Sequence, residues 1–259
     1  LADVAMNYTN EYGGSTTRPR FTSALNLRQP ESAAEVIRGL RNAGRFLLTV
    51  DSDGKLYLRL KGTLADQQPS AVTGSNYVTA VSSKRATASG VPDGTVANGY
   101  VAYRFDETNV IGMVKPSVRA AGNRYSTSFQ NEANRYATDA FSPVDVEDVQ
   151  RMDQEIPAQF AVRGVTSYDQ LTRLVATYSA EALRGNSRGD TGGSLLFEFE
   201  ASFRCLHLSV GDICMLNWEL LGLTNQLVRV ERIQPETNFE KARLVCSWHS
   251  DDWYLDSYG

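Results

Sequence analysis

Two histidines and three cysteines are all that this chain of 259 residues offers of the side chains that most readily bind transition metals. Cys205, Cys214 and Cys246 are odd in number and widely spaced, and none has a second ligand two to four residues away, as zinc sites usually require. A disulfide framework would be denser. Three buried thiols on strands are expected instead, with either a reducing compartment or indifference to redox. No apolar run approaches the roughly 20 residues that span a bilayer. No basic start followed by an apolar stretch marks a secretory signal. The chain begins at Leu1 rather than Met, which reads as a segment of something longer, a removed signal peptide being the competing explanation.

Phosphate loops are missing too. Gly13-Gly14 and Gly192-Gly193 lack the Lys-Ser/Thr of a Walker loop, and no Gly-x-Gly-x-x-Gly follows a strand. A net charge of −4 and a pI near 5.3 argue against a sequence-independent nucleic-acid binder, which needs a basic stripe against phosphates. No cofactor and no metal are therefore expected. The hydrophobic fraction of 42% and charged fraction of 22% place the chain among ordinary globular proteins, and its length suits one large domain or two ordinary ones.

What is there is organised around residues 166–254. Tyr168, Leu171, Leu174, Val175, Tyr178 and Ala182 recur at helical steps over 167–184, with Ser167 and Gln170 at capping-box spacing and Gly185 as the stop. From Ser194 to Leu208 the period becomes two. Leu196, Glu198 and Glu200 take one face of that strand, and Phe197, Phe199, Ala201 and Phe203 the other. Strands at 210–216, 226–233 and 241–248 follow, and the helix with these strands is expected to bury one common core. Leu171 and Leu174 should then pack against 197–203 and 228–233.

Upstream, residues 1–18 read as a polar, irregular arm. Phe21, Ser23, Leu25 and Leu27 alternate as a strand between Pro19 and Pro30. Ser32 opens a helix with Glu35 at the box position and Ala33, Val36, Ile37 and Leu40 as its buried face. A hairpin, 46–50 and 56–60, turns at Asp51-Ser-Asp-Gly54, where Gly54 supplies a positive φ. An EF-hand reading of that turn fails, since the glycine comes too early and no glutamate stands at the twelfth place. Residues 63–98 form a long loop of low hydrophobicity with a weak strand near 76–84. Residues 100–105 and 123–129 alternate as strands, 145–152 makes a helical turn, and 158–162 is a short strand.

The chemistry is thin. Cys205, His207 and Asp212 assemble a nucleophilic site only on paper, because a strand offers parallel side chains and no oxyanion cradle. Glu198 and Glu200, about 7 Å apart on one strand face, invite a glycosidase reading. The solvated face of a half-buried strand is the simpler account. His249 lies beside Asp251 and Asp252, which point in different directions. Arg38, Arg41 and Arg45 suggest an anion site but also complement a helix C-terminus. Trp248, Trp253, Tyr254 and Tyr258 form a terminal aromatic cluster, either core or an interaction surface for a partner or ligand.

In order, the pieces YDQLTRLVATYSAEALR, LLFEFEASF, LSVGDICML, NQLVRVERI and a last strand running into DDWYLD resemble a phage tail protein family. Its members include tail hub and baseplate tip proteins of long-tailed phages and gene-transfer particles, among them lambda-type host-specificity proteins. SAAEVIRGLRNAGRFLLTVDSDGKLYLRL and NRYSTSFQNEANRYATDAFSPVDVED fit upstream, so the resemblance covers most of 20–254. It implies an α+β, mainly β protein of two barrel- or sandwich-like units, each with a packed helix. The units would be 19–157 and 158–259, after the arm 1–18. It further implies a non-enzymatic structural component of a phage or prophage virion tail, made in the bacterial cytoplasm. Such a protein forms a homo-oligomeric, trimeric ring at the distal end of the tail tube, with tail tube and tip proteins as partners. Neither sequence-specific nucleic-acid binding nor membrane insertion is implied. A glycan- or receptor-binding module is the alternative reading, and a hydrolase fragment a further one.

Overall fold

Thirteen strands and three α-helices are found among the described residues of a computed structural model, which are 5–9, 15–19, 21–25, 32–50, 54–67, 101–119, 121–183 and 194–254. In chain order they are β1 (Ala5–Thr9), β2 (Ser15–Pro19), α1 (Ala33–Gly44), β3 (Phe46–Val50), β4 (Leu56–Leu60), β5 (Arg104–Phe105) and β6 (Val110–Arg119). There follow β7 (Arg124–Asn131), β8 (Ala137–Phe141), α2 (Val146–Met152), β9 (Pro157–Gln159), α3 (Tyr168–Leu183), β10 (Ser194–Ser202), β11 (Ile213–Trp218), β12 (Leu223–Pro235) and β13 (Lys241–Trp248). The class is α+β, mainly β. The chain divides into two compact units, one of 1–48, 121–183 and 256–259, the other of 49–120 and 184–255. That division differs from the linear one at 157/158.

In the first unit β7 pairs with β8 antiparallel and with β9 parallel. Tyr125 and Phe129 of β7 point inward and meet Phe141, Phe160, Val162 and Val165. Leu171, Leu174 and Val175 of α3 complete this cluster. Of the six residues that the helical period marked, Leu171, Leu174 and Val175 are buried, but not against the expected partners, since the cluster contains neither 197–203 nor 228–233. Tyr168 and Tyr178 stay part-exposed and close the cluster edgewise, Tyr168 over Phe141 at 5.3 Å and Tyr178 over Tyr125 at 5.5 Å. Asp145 caps α2 by accepting the Asp148 amide, and also accepts from Ser179.

Three expectations for this unit fail. The arm holds a hairpin, β1 with β2. Residues 21–25 form no strand, because their backbone is tied elsewhere: Ala24 N–H donates to the Gly164 carbonyl at 2.8 Å, and Thr22 is bound by Gln170. In α1 the buried residues are Gly39 and Ala43, Ile37 is 48% exposed, and Ser32 makes no side-chain cap. Gly39 is buried for a steric reason. A Cβ there would fall 2.8 Å from Cβ of Arg163, so the close approach of 163 requires glycine.

In the second unit six strands lie in the order β5-β11-β12-β13-β10-β6, antiparallel except for β5 beside β11. Phe197, Phe199, Ala201, Val228, Val230, Ala242, Leu244 and Cys246 are all buried, and Phe105 meets Phe199 edge-on at 4.9 Å. Pro116 sits in β6, an edge strand, where a residue without an N–H is tolerated. β10 stops at Ser202, and 203–207 turn as a 3-10 helix, so Phe203 is 58% exposed instead of sharing the buried face. β11 is buried nearly throughout, because Leu64, Val101 and Leu227 cover Ile213 and Met215. Residues 68–100, the strand expected near 76–84, Gly185, and residues 51–53 of the hairpin turn lie outside the described residues. Gly54 has the expected positive φ of 74°.

Candidate functional site

The densest set of polar side chains in the second unit sits where β12, the 62–67 segment and the chain after β13 meet. β12 carries Arg229 between Val228 and Val230, and all three are buried. Both terminal nitrogens of its guanidinium are engaged: Nη1 donates to Tyr254 Oη at 2.5 Å, and Nη2 donates to the Gly62 carbonyl at 2.9 Å. Nη2 also lies 3.2 Å from His249 Nδ1. An arginine cannot accept, so Nδ1 carries the lone pair and Nε2 the proton, which is donated to Asp251 Oδ1 at 3.0 Å. The same carboxylate oxygen accepts the Leu64 amide at 2.7 Å. The imidazole stacks on Tyr254 at 5.7 Å and meets Trp253 edge-on at 6.0 Å. Burial opposes the charge of Asp251, but the bonds from His249 and Leu64, with the fields of His249 and then Arg229, outweigh it and hold the carboxyl below its ordinary range.

An Asp–His pair resembles part of a nucleophilic triad, yet the nitrogen that would take a proton from a nucleophile faces a guanidinium here. What the arrangement does is tie three segments remote in sequence. A second polar set extends the tie. Arg59 Nη1 pairs with Asp212 Oδ1 at 2.6 Å, and Arg59 Nη2 donates to Gln67 Oε1 at 3.1 Å. Gln67 accepts the Ile213 amide at 2.7 Å and donates to the Ile213 carbonyl at 2.9 Å. Asp212 closes its own turn on the Ser209 amide, with Gly211 at φ 91°.

Cys205, His207 and Asp212 are not brought together as a nucleophilic set. His207 Nδ1 donates to the Arg204 carbonyl at 2.6 Å, and Asp212 is engaged as above. Burial raises the Cys205 thiol to about 11 and pushes that of Cys246 higher still. All three cysteines are free and buried, but Cys205 lies in the 3-10 turn, not on a strand. Glu198 and Glu200 stand on the outer face of β10 as rungs of a charge ladder. Arg243 pairs with Glu198, and Lys241 bonds Glu200 at 2.6 Å and Glu236 at 3.1 Å. The Lys241 bond holds the Glu200 carboxyl below its ordinary range. Arg41 lies in the last turn of α1, and Arg45 caps it in a left-handed conformation over the Phe21 ring at 5.4 Å.

The terminal aromatics among the described residues are buried. Trp248, Trp253 and Tyr254 are 7%, 8% and 4% exposed, while Tyr258 lies outside the described residues. Sequence reasoning missed the Arg229–His249–Asp251 set. Its available signals were an arginine flanked by buried valines and an aspartate two residues after a histidine. Among the described residues no group of three metal-ligating side chains converges, and no helix is long and apolar enough to cross a membrane.

No protein-family description matches the chain, and no curated protein does. Among solved structures it is similar to a chain in the virion of a native gene transfer agent particle, with a TM-score of 0.46 and 14% identity, over 64% of this chain and 37% of that one. It is also similar to the 43 kDa tail protein of prophage MuSo2 from Shewanella oneidensis, with a TM-score of 0.43 and 13% identity, over 95% of this chain and 59% of that one.

Proposed function

We propose that the chain is a structural component of a phage or prophage tail, a hub or tip protein. Three copies close a ring at the distal end of the tail tube, between tube and tip proteins, and serve host attachment and DNA delivery. The observation that carries this reading is one of order. The sequence pieces that resemble tail hub proteins fold, in that order, as α3, β10, the Gly211 turn with β11, then β12, and β13 running into the 251–254 turn. The polar side chains support it, since histidine, arginine and carboxylates are engaged in ties and ladders that stiffen a scaffold. So does apolar surface of the kind an assembly covers. β4 turns Arg59 inward to Asp212, while Leu56 and Leu58 stand outward, 71% and 68% exposed. The acidic balance suits a channel through which DNA slides without sticking.

The test is to place an epitope at the exposed Gly54 turn and image particles by electron microscopy. Label at the distal tail tip with three copies per particle is expected, and particles made without the chain should fail to deliver DNA. Label on the capsid, or normal delivery in its absence, refutes the proposal.

A further inference from the structure

Among the described residues, two elements and the 62–64 backbone surround the His249 imidazole in a hydrogen-bonded circuit. β12 presents Arg229, and the 251–254 turn presents Asp251, Trp253 and Tyr254. The 62–64 backbone is bound on either side of the imidazole, Gly62 by Arg229 and Leu64 by Asp251. The nearby charged groups are engaged elsewhere: Arg59 with Asp212, Asp66 with the Thr63 amide and hydroxyl, and Asp252 with Ser250. The imidazole is fully buried and fixed as the Nε2–H tautomer, its Nδ1 accepting from a permanent cation.

We propose that His249 is an acid-released latch. A second proton, on Nδ1, would set donor against donor and charge against charge at Arg229. The fold admits it by opening that contact: the imidazole moves off Arg229 with the Asp251 to which it is bonded, and Gly62–Leu64 and the 251–254 turn come free together. The inference is independent of the tail reading. The sign follows from linkage: the opened state binds a proton that the latched state excludes, so the latch is shut at neutral pH and opens as pH falls. An ordinary imidazole takes its second proton near ~6.5. The Asp251 carboxyl, held below its ordinary range, stays charged meanwhile.

The test uses the whole chain labelled with nitrogen-15. Imidazole shifts at pH 7.5 should show a protonated Nε2 and a bare Nδ1. Between pH 7.5 and 5, the exchange protection of the Leu64 amide should fall at least tenfold, in step with protonation of Nδ1. In the His249→Gln protein, which has no second proton to gain, Leu64 protection should be flat over the same range. Three results overturn the latch: a protonated Nδ1 at pH 7.5, a protected Leu64 at pH 5, or an equal loss in the variant. The first two are read on the parent chain, so the outcome stands even where the variant does not fold.

Discussion

Gln170 offers the sharpest test of the first unit. Gln170 is 2% exposed, and its side-chain amide uses its full capacity. Oε1 accepts from the Thr22 amide at 3.1 Å and from its hydroxyl at 3.0 Å, while Nε2 donates to the Thr22 carbonyl at 3.1 Å and the Ala43 carbonyl at 3.3 Å. Gln170→Glu keeps the shape and replaces the two donors by an oxygen. As a carboxylate the new group faces two carbonyls. The loss of two bonds, with one buried carbonyl left unpaired and a charge taken from water, amounts to about 3–5 kcal/mol. Protonated, the carboxyl regains one donor and the deficit shrinks to about 1–2 kcal/mol. Burial and the facing carbonyls favour the neutral form, so the folded variant holds its proton more tightly than the unfolded chain does. Its deficit is therefore full at neutral pH and recovers as pH falls toward the ordinary glutamate value of ~4.3. Urea unfolding followed by far-UV circular dichroism at pH 7.5, 6 and 5, against the parent and Gln170→Met, measures this. A deficit under about 0.5 kcal/mol, as at surface sites, or one independent of pH, would refute the clamp.

Three further outcomes are expected. Leu174→Ala should cost the first unit about 2–5 kcal/mol; the tryptophans, Trp218, Trp248 and Trp253, all lie in the second unit, so the loss should appear in dichroism before indole fluorescence. Gly39→Ala should lower stability by about 1–2 kcal/mol despite alanine's better helix propensity, because the added methyl meets Cβ of Arg163, near its backbone, not a mobile side-chain end; thermal melts decide it. A thiol-reactive disulfide should label none of the three cysteines in the native chain and all three after denaturation, and reductant should leave the melting temperature unchanged.

The local elements were legible where one period dominated. α3, β7, β10, β12 and β13 fall close to the segments that alternation or helical spacing marked. Leu171, Leu174, Phe197 and Phe199 are buried as that spacing requires. Partnership was not legible. A helix followed by strands reads as one unit along the chain, yet α3 finds its core in Tyr125, Phe129 and Phe141, residues placed before it. Burial on two faces also erased a signal. Arg229 falls on the face opposite Val228 and Val230, which a strand normally gives to solvent, and here Gly62, His249 and Tyr254 cover it.

The least legible feature is a device found in each unit among the described residues. Gln170 in the first and Gln67 in the second each offer a carbonyl and an amide N–H to the backbone N–H and carbonyl of a single residue, Thr22 and Ile213. A primary amide has the donor and acceptor of a peptide, so each glutamine acts as one rung of strand pairing, Gln67 sharing the Ile213 carbonyl with the Ala102 amide. This explains why 21–25 can be held in place without being a strand, and why β11 gains cover from the irregular 62–67 segment. No period marks such a residue, since its rank on any hydropathy scale is that of a surface group. Ser167–Gln170 invites a capping-box reading by spacing alone, and the structure gives the amide to Thr22 and Ala43 instead. A buried amide with every bond made specifies register more tightly than an apolar side chain of equal volume, because a slip would strand four polar groups at once. Two glutamines with both amide ends bonded thus place irregular segments rigidly where no strand is available.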